Sequence, residues 1–209
     1  MLLQNAIKRI LAVPDGWVRV EQVRNISGGL ELCLGIHRGR RGKTVAAWDV
    51  TCLRVHEFKI TDLDGGGIAL YGTDHPAAKP YATRWSELRW PRNSNLAAVF
   101  KTLYGAHIEA TDDWVPFDRY VFPNTPYTRG FKSRSEKEYA CRGPDFLIRA
   151  YAKALRKKGE TVRVVRLNIG RKRRGQPKVL HFGTSYVVAE CFAAERESTR
   201  LDSSTRSAV

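Results

Sequence analysis

From Trp17 onward the apolar residues recur at every second position, and this change of period restricts the fold more than any other feature of the chain. Residues 17–26, 30–36, 44–60 and 68–71 read as strands rich in Val, Ile, Leu and Trp. They are joined by Ser27-Gly28-Gly29, by Arg38-Gly39-Arg40-Arg41-Gly42-Lys43 and by Asp62-Leu63-Asp64-Gly65-Gly66-Gly67, all of them turn sequences. Short turns make neighbouring strands antiparallel, so a four-stranded meander is expected. In its third strand Trp48, Val50, Cys52 and Arg54 alternate with Asp49, Thr51, Leu53 and Val55, and the length of that strand calls for a bulge or bend near Arg54.

Ahead of the meander, Leu2, Leu3, Ala6, Ile7, Ile10 and Leu11 repeat at helical spacing until Pro14-Asp15-Gly16. Packing this apolar stripe on the sheet gives an α+β fold, with the N-terminal helix on one face of the meander. Beyond Asp74-His75-Pro76 the chain reads as irregular to Pro91. Ser94 then stands as the N-cap of a helix through Leu96, Val99, Phe100, Leu103 and His107, which Asp112-Asp113 ends. A short helix at 114–120 and a long loop over 122–135 follow. Gly143-Pro144-Asp145 opens the clearest helix, because proline at the first helical position has no amide proton to lose and Asp145 suits the positive helix end. Its buried stripe is Leu147, Ala150, Tyr151, Ala154 and Leu155, and Gly159 supplies the left-handed stop. Residues 161–167 read as a strand, 168–177 as a basic hairpin loop, and 179–182 with 186–192 as a second small sheet. The Ala-rich residues 189–196 fit a helix as well as a strand. The expected organisation is a helix-plus-sheet subregion at 1–92, a basic helix and hairpin subregion at 93–196 and a disordered tail at 197–209.

Charge supplies the functional clue. The chain carries a formal +15, and residues 129–178 hold seventeen Lys or Arg against Glu136, Glu138, Asp145 and Glu160, a net +13. Such a stretch attracts polyanions. On the helix opened by Gly143, Arg149, Lys153, Arg156 and Lys157 follow three- and four-residue steps and share one face. Arg171, Lys172, Arg173 and Arg174 fall at a hairpin tip. Upstream, Tyr120, Phe122, Tyr127, Phe131 and Tyr139 interleave with Arg129, Lys132, Arg134 and Lys137. Aromatic faces stack on bases while cations neutralise phosphates, so the pattern points to an accessory protein that binds RNA or single-stranded DNA. The alternative from another class is a non-enzymatic interaction module, an adaptor or immunity-type neutraliser of an acidic protein, with Arg, Tyr and Trp as anchors. A purely structural reading also exists: cations suit a helix C-terminus, and charged hairpin tips protect sheet edges.

No catalytic constellation emerges. His56, Glu57, Asp62, Asp64, Asp74 and His75 have metal-ligand chemistry, but Asp62-Leu63-Asp64-Gly65 fails as a calcium loop for want of a third ligand and a closing Glu. Gly65-Gly66-Gly67 lacks the Lys-Ser/Thr of a phosphate loop. Cys141, beside Arg142 and the helix start, is placed where a thiol pKa would fall. His107 and His181 are its conceivable bases. Cys33, Cys52, Cys141 and Cys191 form no CxxC pair, which argues against a zinc ribbon. Neither a secretory signal nor an apolar run of membrane-spanning length is found, so a cytoplasmic protein with reduced thiols and no cofactor is expected.

Overall fold

The computed structural model describes residues 3–39, 42–61, 64–121, 138–167 and 175–196. In chain order, α1 (Leu3–Leu11) is followed by β1 (Gly16–Ile26), β2 (Gly29–Arg38), β3 (Lys43–Lys59), β4 (Asp64–Gly65) and β5 (Ile68–Tyr71). Next come α2 (Lys79–Ala82), β6 (Trp85–Pro91), α3 (Leu96–Thr111), a 3-10 turn at Phe117–Arg119, β7 (Glu138–Pro144), α4 (Asp145–Lys157) and β8 (Arg163–Arg166). The chain ends its regular structure with β9 (Lys178–Phe182) and β10 (Ser185–Arg196). By contacts it divides into two units, residues 1–78 with 174–209 and residues 79–173.

The first unit is an antiparallel sheet of order β4-β1-β2-β3-β10-β9-β5. Strand β4 pairs with β1 at one edge and β5 pairs with β9 at the other, and only Gly66 and Gly67 separate β4 from β5. The two edges are therefore joined by one short stretch of chain, and the sheet curls into a barrel-like form in which no ladder between β4 and β5 is seen among the described residues. Val20, Leu32, Leu34, Val50, Leu180 and Phe182 fill the interior, with Leu3, Ala6, Ile7 and Ile10 of α1 packed onto the same core. Irregularities in register after Val20, Ile36 and Val188 coil the sheet. The bend expected near Arg54 is there: this residue sits mid-strand at φ +53°, its amide donating to the Gly28 carbonyl at 2.9 Å.

The α+β class and the N-terminal helix on an antiparallel sheet agree with the sequence, and β1, β2 and β3 are consecutive neighbours. The fourth strand differs. Residues 68–71 leave β3 and pair with β9, and the hairpin of β9 and β10 belongs to the same sheet instead of a second one. An open meander would leave its outer backbone groups unpaired, whereas β10 satisfies the free side of β3 through ten residue pairs from Tyr186 to Arg196, most of the Ala-rich stretch included. This pairing also sets the units apart from the contiguous stretches 1–92 and 93–196. The second unit is an insertion between β5 and β9, which are neighbours in the barrel with Tyr71 opposite Val179.

In that second unit β6 lies between β7 and β8, and α3 and α4 cover one face. Asn95, not Ser94, caps α3: its side chain accepts from the Ala98 amide at 3.2 Å, while the Ser94 hydroxyl donates to Glu160 at 2.7 Å. Asp112 ends α3 in the left-handed conformation, φ 50°. Pro144 occupies the N-cap of α4 one position before the helix proper, and Gly159 adopts φ +84° after it. The buried face of α4 comprises Leu147, Ile148, Tyr151, Ala152 and Leu155; Ala150 and Ala154 flank it.

Candidate nucleic-acid interface

The insertion concentrates the charge. Residues 79–173 contain 21 Lys or Arg and nine Asp or Glu, a net +12, which leaves +3 of the total +15 for the barrel unit. Because α4 buries its apolar face against β6 and α3, Arg149, Lys153, Arg156 and Lys157 are turned outward and all are exposed.

These four cations do not form one cluster. Arg149 and Arg156, two helical turns apart, line a cleft of about 400 Å³ together with Arg166 of β8, Asp145, Ala152 and Val164. Arg166 and Val164 share the helix-facing side of β8, because alternate residues of a strand point the same way. Asp145 organises the near wall. Its Oδ1 accepts from the Ser86 hydroxyl at 2.6 Å and its Oδ2 accepts from Nε of Arg149 at 2.6 Å. Burial alone would raise the Asp145 pKa. The bonds from Ser86 and Arg149, with the charges of Arg149 and Arg166, outweigh this and hold the carboxyl below its ordinary range. Arg156 donates to the Val162 carbonyl at 3.3 Å, which draws its guanidinium toward β8. The lining thus carries three guanidinium groups and one ionised carboxylate.

Lys153 lies beside this cleft on the exposed side of α4. Lys157 belongs to a different one, of about 650 Å³, between α3 and α4, where Lys101, Lys158 and Glu160 surround small residues such as Gly105 and Ala154. Tyr127, Arg129, Phe131, Lys132, Arg134, Arg171, Lys172, Arg173 and Arg174 lie outside the described residues. Of the interleaved aromatics that are described, Tyr120 is core, only 2% exposed. Tyr139 is half-buried against Trp90, with the Arg92 guanidinium 5.5 Å from its ring centre.

Two further cations of the basic stretch face carboxylates on the opposite side of the small sheet. Glu87, central on β6, accepts from Nε of Arg142 and from Nε of Arg89, each at 2.5 Å. Arg163 reaches Glu138 at 3.4 Å. Arg142 and Arg163 are thereby engaged in the fold. Arg166 is the cleft residue that the sequence reading missed; the signal was its even spacing from Val164, which turns it toward the helix when Arg163 turns away.

The remaining polar clusters have structural partners. Glu190 binds Arg54 at 2.7 Å and lies 3.6 Å from His56 on the outside of the barrel. Tyr186 donates to Glu57 at 2.9 Å. Nδ1 of His75 accepts from the Ala77 amide, and its ring packs on Tyr71. Asp62 lies outside the described residues, and among the described ones no group of three or more His, Cys, Asp or Glu side chains could hold a metal ion. Cys141 departs from the sequence expectation. It is 1% exposed, and burial first and the Glu87 charge second push its thiol pKa well above the ordinary value, so no thiolate forms there at neutral pH.

No protein-family model, curated protein or solved structure matches this chain. Among the described residues no helix is long and apolar enough to cross a membrane. Fold and site together define a curled, barrel-like antiparallel sheet into whose chain a small, strongly basic α+β unit is inserted.

Proposed function

We propose that the protein binds RNA or single-stranded DNA through the basic surface of its inserted unit. The observation that carries this reading is the cleft in which Arg149, Arg156 and Arg166 converge from two elements. Guanidinium groups match phosphate oxygens in bidentate geometry, and a cleft between a helix and a strand gives a backbone a defined track. Asp145 keeps Arg149 extended along α4 and so sets the register of the first contact. Lys153 and the cations of residues 129–134 and 171–174 would add phosphate contacts, with Tyr127 and Phe131 as stacking surfaces for bases. The role is that of a binding protein and not of a catalyst. The four free cysteines favour a reducing compartment, the cytoplasm, as its setting.

The test is fluorescence anisotropy with labelled RNA, single-stranded DNA and duplex DNA between about 50 and 200 mM salt. The expected result is affinity that prefers one single-stranded polymer and falls steeply with salt, and that drops on combining Arg149→Glu with Lys153→Glu while the fold is kept. Weak binding that is indifferent to polymer type, or binding unchanged in the double variant, overturns the reading. A partner with a shallow salt slope would instead be an acidic protein.

A further inference from the structure

A second cleft lies at the end of the barrel where β1 begins. There α1 packs against β10 and β5, and its last buried residue is Ile10. The chain then turns through Pro14 and Asp15, the latter at φ 52°, to enter β1. Between the C-terminal end of α1 and the adjoining ends of β2, β3 and β10 a cleft of about 510 Å³ remains. Its floor is apolar and belongs to the barrel core: Ile10, Ile36 and Trp48 are each at most 4% exposed. Its rim is cationic. Arg9 stands on the last turn of α1, Arg38 is the last residue of β2 and Arg196 is the last residue of β10. No carboxylate lines the cleft, and none of the three arginines has an ion pair among the described residues.

Three like charges from three elements converge on one apolar opening. All three are exposed, so solvent screens their mutual repulsion, and an anion entering the cleft would meet three guanidinium donors at once. Other arginines of the same unit do have carboxylate partners, as in Arg24 with Glu31 and Arg54 with Glu190. The size lies within the range of small-molecule sites, and the chemistry, an apolar floor with a few convergent donors, is of the kind such sites use.

We propose that this cleft binds a small amphipathic carboxylate, its hydrocarbon body lying on Trp48 and Ile36 and its carboxylate held by Arg9, Arg38 and Arg196. The apolar body gains by leaving water, and the charge-assisted hydrogen bonds at the rim select an acid over a neutral molecule of the same shape. This site uses the barrel and is independent of the polyanion surface on the inserted unit.

Decanoate, below its aggregation concentration, is the probe and decanol the neutral control. In the full-length protein the indole N–H resonance of Trp48, identified by its disappearance in Trp48→Phe, should shift saturably with decanoate. Arg38→Glu combined with Arg196→Glu should weaken binding by about tenfold or more. Arg9→Glu, on the exposed side of α1, is the second variant should the first disturb the barrel, and it should weaken binding in the same direction. No saturable shift, equal affinity for decanol, or undiminished binding in a folded variant overturns the proposal. So does a Trp48 resonance that moves with protein concentration alone, since a second copy of the chain would then cover the cleft.

Discussion

The phenol of Tyr151 lies 2.7 Å from Nδ1 of His107, and both side chains are completely buried between α3 and α4. The other ring nitrogen, Nε2, donates to the Val115 carbonyl at 2.5 Å, so in the neutral ring Nδ1 accepts the hydrogen bond from the Tyr151 hydroxyl. Burial, the largest influence, lowers the His107 pKa below 6.5, although the Val115 carbonyl and Asp113 act the other way. The unfolded chain therefore takes up this proton at a higher pH than the folded one. Stability from His107 is complete above about pH 6.5 and declines as the pH falls toward the folded-state value. His181, also lowered by burial, contributes with the same sign. Urea midpoints measured from pH 7.5 to 5 should fall in the wild type and fall less in His107→Gln. Tyr151→Phe, which leaves Nδ1 without its donor, should cost about 1–3 kcal/mol at pH 7.

Glu87 provides a second pH-dependent term. Burial would raise its pKa, but the hydrogen bonds and charges of Arg142 and Arg89 more than offset this and hold the carboxyl below 4.5. Its contribution is complete above pH 4.5 and is lost as the pH falls through the folded-state value. Glu87→Gln leaves two guanidinium groups without their carboxylate over a buried strand centre. We expect a loss of about 2–3 kcal/mol at pH 7, less than for a fully buried pair because Arg142 is half-exposed. The difference from wild type should shrink at pH 3.5, as read by chemical denaturation.

Thiol labelling separates the cysteines. Cys33, Cys52 and Cys141 are buried, and burial raises the Cys52 thiol to about 12; Cys191 alone is exposed. One thiol per chain should react promptly with a disulfide reagent under native conditions, and the other three only on unfolding. Cys191→Ser should abolish the prompt phase.

Gly29 begins β2 directly against the backbone of β3. A Cβ there would stand 1.9 Å from the Cys52 carbonyl oxygen, a backbone atom that cannot step aside. Gly29→Ala should destabilise the barrel by about 3 kcal/mol or more. Its neighbour Gly28 has open space but φ +80°, so Gly28→Asn should cost less than about 1 kcal/mol. Parallel urea titrations of the two variants decide the point.

What the sequence made legible was local. The stripe of Leu3, Ala6, Ile7 and Ile10 marked α1, the turns at Gly28-Gly29 and around Gly42 fixed β1, β2 and β3 as neighbours, and Asp145 and Gly159 bracketed α4. What escaped was the pairing of β5 with β9 and of β10 with β3. Partners so far apart in the chain leave no trace in a two-residue period, and the Ala-rich end of β10 has weak strand propensity of its own. Ser94 and Asn95 are both good capping residues, and only the positions of Glu160 and the Ala98 amide choose between them. Arg149 and Arg156 could be placed on one helix face from spacing. Their meeting with Arg166 depends on β8 pairing with β6, which no local signal encodes.

The placement of the insertion also governs the order in which the protein can be made. Strand β3 emerges from the ribosome with its last residue at Lys59, but its partner β10 does not begin until Ser185. At about 5–20 residues per second, the intervening synthesis takes on the order of ten seconds. Throughout that interval the inserted unit can complete its own core, while β1, β2 and β3 wait as a half-shell with one open, apolar-backed edge. A nascent chain in this window leaves the β10-facing edge of β3 uncovered, the kind of edge most prone to pair with another copy, until Ser185 to Arg196 have been made.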